Sequence, residues 1–142
     1  MNRILQHPYF LFVAILVFCF PLTAWATPVK VAVLPFAIHA DKDYTFLQKG
    51  IVEMLTSRLS APGKVEVADP VATSEAMTAT KGLSGDKLAL MVADKLKADV
   101  AIHGSLTVLG ESVSIDAKTL DVTGGRPPLT FFKQTSGMGE VI

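Results

Sequence analysis

The sequence predicts an α/β fold: a mixed five-stranded sheet with helices packed on it, in the order βαβααβββ. Three observations lead there. Val29 to Phe36 is a short, largely β-branched apolar run, which suits a strand covered on both faces. Leu47, Ile51, Leu55 and Leu59 follow four residues apart, the spacing of a helix that lays one stripe on a sheet. Further on, two apolar-rich stretches, 100–109 and 112–122, flank Gly110-Glu111, a two-residue hairpin of the type II′ kind.

In chain order, Pro35 cannot donate a ladder hydrogen bond and marks the end of the first strand or a bulge. His39 to Asp43 reads as a polar turn. Asp43 can cap the helix that follows, and Thr45 with Gln48 offers a rival capping box. That helix runs over 44–60, with Met54 beside the leucine stripe. Gly50 is expected to let helix and strand approach closely. Arg58 suits the negative helix end, and Pro62-Gly63 stops the helix. Lys64 to Ala68 alternates as a short second strand. Asp69-Pro70 opens a weak helix over 71–80, ended by Lys81-Gly82-Leu83. Ser84 can cap a third helix, to about residue 97, with Leu88, Met91, Val92 and Leu96 inward. Strand, helix, strand makes a βαβ unit with a right-handed crossover. Whether the second and third strands run parallel stays open. In the fourth strand Val113, Ile115 and Ala117 alternate, and then Leu120 and Val122 resume out of phase. A β-bulge or strong twist is expected near Lys118-Thr119. Gly124 to Pro128 turns the chain into a fifth strand, Leu129 to Thr135.

The chain has 142 residues, enough for one domain. Its first 26 read as an export signal. Arg3 gives the positive start, Leu11 to Phe20 the apolar core, and Ala24-Trp25-Ala26 the cleavage site. Cleavage after Ala26 is expected, leaving one domain over 27–142 in the periplasm or at the outer-membrane periphery. The membrane is then met only through the signal. Cys19 is the single cysteine, and large residues precede it, so lipid attachment is not predicted. The chain has 13 basic and 13 acidic residues. Arg3 is the only charged residue lost with the signal, so the remainder is near neutral and has no electrostatic footprint for nucleic acid.

The segments VAVLPF, FLQKGIVEMLTSRLS, AIHGSLTVLG and SVSIDAKTLDVTGG resemble the TolB amino-terminal-like domain, in the form found ahead of FG-GAP or VCBS-type β-propellers in bacterial envelope proteins. CsgG and FlgO families are a looser match. The resemblance implies a periplasmic module without cofactor that contacts other envelope proteins rather than catalysing a reaction. It also implies a further helix and a propeller. This chain stops instead at Gly137 to Ile142, so a product truncated at its C-terminal end is expected, its partners being other envelope proteins or the missing propeller, with homo-oligomers possible. The CsgG and FlgO likeness implies the alternative: a subunit of an oligomeric outer-membrane secretion or surface-assembly system.

Candidate chemistry is sparse. Ser84 and Lys87 match S-x-x-K, but Lys118-Thr119-Leu120 is not the companion K-T-G, and helix capping explains Ser84 better. His39 near Asp41 and Asp43 suggests a loop metal site only weakly, because no partner ligands stand at a recognised spacing. His103 alternates within an apolar strand and reads as a packed or edge-facing residue rather than a base. Arg126 after Gly124-Gly125 reads as a turn rather than an anion site. There is no phosphate-loop motif. No catalytic, cofactor-binding or metal residue is expected. Phe131 and Phe132 are the one hint of an interaction surface. Adjacent in a strand, they face opposite sides, so one should enter the core and the other needs a cover.

Overall fold

In the computed structural model, which describes residues 27–136, the first strand breaks at its proline. β1 (Val29–Val33) and β2 (Ala37–Ala40) flank Pro35, and both run parallel to one long strand, β4 (Val100–Leu109). Val31 lies opposite Val100, and Ala37 opposite Ser105. The remaining elements are α1 (Thr45–Leu59), β3 (Val65–Val67), α2 (Pro70–Thr78), α3 (Gly85–Lys95), β5 (Ser112–Asp121) and β6 (Leu129–Ser136). The sheet order is β3-β1-β4-β5-β6, with β2 beside β4. β1 is parallel to β3 and β4, and the last three strands are antiparallel. The described fold is therefore mixed α/β with six strands and three helices, ββαβααβββ, not the five strands expected. The extra strand takes His39 and Ala40 out of the predicted turn. Four residues without a β-branched pair gave little signal, and β4 supplies the partner that makes them a strand.

The two faces carry separate cores. On one, Ile51 and Val52 of α1 pack on Val31, Val33, Phe36, Leu106, Val108 and Val113. On the other, Ala89, Val92 and Ala93 of α3 pack on Ala32, Leu34, Ala101 and Leu120. These cores explain the phase slip in β5. Val113 and Ile115 point to α1, whereas Leu120 points to α3, because different faces are covered at the two ends of the strand. Pairing with β4 is unbroken from Val100↔Asp121 to Leu109↔Ser112, so the expected bulge does not exist.

Local details set the element ends. Asp43 accepts hydrogen bonds from the Thr45 amide (2.9 Å) and hydroxyl (2.6 Å) at the start of α1. Gln48 does not close a capping box. Its Nε2 donates to the Phe36 carbonyl at 2.6 Å. Asp69 caps α2 by accepting from the Val71 and Ala72 amides. Ser84 sits at the start of α3 but makes no side-chain cap bond. α3 closes with Ala98 N donating to Ala93 O and Lys97 N to Asp94 O, a Schellman arrangement with Lys97 at φ 53°. Gly110 has φ 59° and Glu111 does not, which fits the predicted hairpin. Gly50 does not mediate close packing: a side chain there would meet nothing within 4 Å. The close approach occurs at Gly104. A Cβ at that position would lie 2.1 Å from the Asp116 carbonyl oxygen and 2.5 Å from the Phe36 ring. Residues 1–26, expected to be an export signal, and the terminal residues 137–142 lie outside the described residues.

Candidate functional site

The turn into β6 is built by one carboxylate. Asp121 Oδ1 accepts from the Thr123 amide (3.0 Å) and hydroxyl (2.6 Å), and Oδ2 from Arg126 Nε (2.9 Å). Arg126 and Thr123 together hold the Asp121 carboxyl down to about 2. Gly124 takes the positive φ, 72°, that the turn needs. Pro127 and Pro128 then restrict the approach to Leu129. As the sequence suggested, Arg126 serves the turn.

From that turn β6 runs antiparallel to β5 in unbroken register, Thr119↔Leu129 to Ser112↔Ser136. Its other edge has no strand partner among the described residues. Phe131 lies opposite Ala117 on the face that carries α1, and Phe132 opposite Asp116 on the face that carries α3. Both are largely exposed, at 66% and 64%, and Leu129 is 59% exposed. The expectation that one phenylalanine would enter the core is wrong. The three core clusters take their residues from β1 to β5 and the helices; no apolar residue of β6 joins them.

A second polar cluster lies where α3 meets the sheet. Asp86 Oδ1 is 3.0 Å from His103 Nε2, and Lys118 Nζ donates to Oδ2 at 2.5 Å. His103 and Lys118 are neighbours across the β4–β5 ladder. Lys118, then His103, hold the Asp86 carboxyl below its ordinary range, against the opposing effect of its partial burial. With both oxygens engaged, Asp86 straps α3 to the hairpin. Sequence reading missed this trio and expected a β-bulge or strong twist near Lys118-Thr119 instead.

Ser84 and Lys87 are exposed. His39 lies in β2 opposite Thr107, while Asp43 is engaged by Thr45. Among the described residues no group of three or more His, Cys, Asp or Glu side chains could hold a metal ion.

Similar architecture occurs in solved domains of bacterial proteins. The LpoB C-terminal domain from Salmonella enterica superposes with a TM-score of 0.62 at 13% identity, over 80% of this chain and 87% of that one. The fold resembles that of LpoB. Lipoprotein GNA1162 from Neisseria meningitidis gives 0.59 at 16% identity, over 79% and 84% of the two chains. The LpoB C-terminal domain from Escherichia coli gives 0.58 at 15%, over 88% and 93%. At these identities the likeness is one of fold. No protein-family model matches the chain, and no curated protein does. The resemblance to domains that precede FG-GAP or VCBS propellers is thereby corrected, and with it the reading of the chain as a fragment of such a repeat protein. The motifs behind that resemblance cover a strand, a helix and a hairpin, elements too general to fix a family.

Proposed function

We propose that this chain is a non-catalytic protein-binding module of the bacterial cell envelope, and that it contacts another envelope protein through β6. One observation carries the reading: an edge strand of eight residues exposes Leu129, Phe131 and Phe132 at 59–66% while its outer backbone has no strand partner among the described residues. Large apolar side chains grouped on an open edge mark contact sites in soluble domains. The export signal read over residues 1–26 supports an envelope location. So does the likeness in fold to a lipoprotein and to LpoB. Ser84 and Lys87, the residues that match a catalytic motif, are both exposed at the first turn of α3, which favours a binding function over an enzymatic one.

The test is site-specific photocrosslinking in cells that make the full chain. A photoreactive residue at 131 or 132 should yield a discrete adduct with another protein, and one at Glu75, exposed on α2, should not. Equal labelling at the two places, or none at 131 and 132, would refute the reading.

A further inference from the structure

A second site lies at the opposite side of the sheet, independent of β6. The chain leaves β1 and β2 for α1 on one face, and leaves β3 for α2 on the other. Adjacent parallel strands whose connections depart to opposite faces leave a crevice beyond their carboxyl ends, the usual ligand position in α/β sheets. Here that crevice exists, with a volume of about 310 Å³. Its floor is apolar: Val33, Pro35, Val52 and Pro70. Gln48, Lys49 and Glu53 stand at its rim.

Crevices of this kind commonly hold an anion against helix amino ends. This one is built differently. The first amide of α1 is taken by Asp43, and those of Val71 and Ala72 in α2 by Asp69. Two carboxylates thus already occupy the helix ends. With Glu53 they outnumber Lys49, which lies 3.7 Å from Glu53. The surroundings favour an apolar group flanked by positive charge.

Pro35 supplies the second half of the site. By breaking the strand it leaves β2 one residue past the crevice, paired with β4 on one side and with no second strand partner among the described residues. Four residues of free strand edge begin where the apolar crevice ends. Edge pairing for affinity with a pocket for alternate side chains is a recurrent way to bind extended peptide. We propose that β2 and the Pro35 crevice bind an extended peptide segment of alternating aliphatic and basic residues, which adds to the β2 edge and places one aliphatic side chain between Pro35, Val52 and Pro70.

The test is an amide-resolved NMR titration of the purified full chain with a blocked hexapeptide of alternating isoleucine and lysine. Saturable shifts are expected at Ala37 to Ala40, Val33, Gln48 and Val52. Three changed peptides should each bind at least about tenfold more weakly, a cost of about 1.4 kcal/mol: one N-methylated at alternate peptide nitrogens, one with serine for isoleucine, one with glutamate for lysine. Glu53→Lys, an exposed rim change, should weaken the original peptide and leave the fold intact. Absence of saturable shifts at these residues overturns the proposal, as does equal binding of the N-methylated peptide. Shifts confined to Leu129 to Ser136 overturn it too, while leaving the β6 reading in place.

Discussion

At Gly104 the ring of Phe36 and the Asp116 carbonyl oxygen occupy the space a side chain would need. Because one of the two is backbone, rotamer changes cannot relieve the clash, and Gly104→Ala should cost about 3 kcal/mol or more. Gly50 is the opposite case, a helix-interior glycine with open space around it. Gly50→Ala should raise stability by about 0.5–1 kcal/mol by restricting the unfolded chain. Urea unfolding of both variants checks the pair. Asp121 gives a pH signature. Its carboxyl is held at about 2 in the folded chain by Arg126 and Thr123, against about 3.9 when unfolded. The lowered value means that its stabilisation is fully present above about pH 4 and is lost as pH falls through about 2. Asp121→Asn should therefore lower Tm at pH 7, and the two melting curves should converge as the pH approaches 2.

Among elements, β6 is the one whose apolar residues contribute nothing to the cores. Phe131→Ser with Phe132→Ser should change stability by less than about 0.5 kcal/mol each, as exposed positions do, while abolishing the adduct formed by a photoreactive residue at Thr130, an exposed neighbour in the same strand. Thermal unfolding beside the crosslinking assay separates the two effects. α1 and α3 were legible in the sequence because their stripes are strong: Ile51 and Val92 are buried as their spacing required, although Met91, expected inward, is exposed. The β4–β5 hairpin was legible from Gly110-Glu111. β2 was not, since its stability comes from β4, more than sixty residues away in sequence. The Asp86–His103–Lys118 strap was hidden for the same reason. Three polar residues on three elements have no common spacing, and only the fold brings them together. The sequence picked out Phe131 and Phe132 as an adjacent pair, but their shared exposure depends on where the helices end over the sheet.

For the whole molecule, the helices gather over β1, β3 and β4 and leave the β6 side thinly covered. Stability should follow that gradient. Amide exchange in β1 and the first half of β4, where Ala32, Val33 and Ala101 are almost fully buried, should approach the global unfolding limit. Amides of β6 should exchange faster through local opening. Equal protection across the sheet would contradict this. The strand broken at Pro35 has a kinetic consequence as well. β1 and β2 are both aligned by β4, and the Lys30–Asp99 contact that fixes the start of this pairing spans 69 residues. On a ribosome the first strands emerge long before the strand that aligns them, and closing such a loop slows folding. A chain built this way should complete its sheet only after β4 has left the ribosome, so its early segments are the last to be protected relative to when they are made.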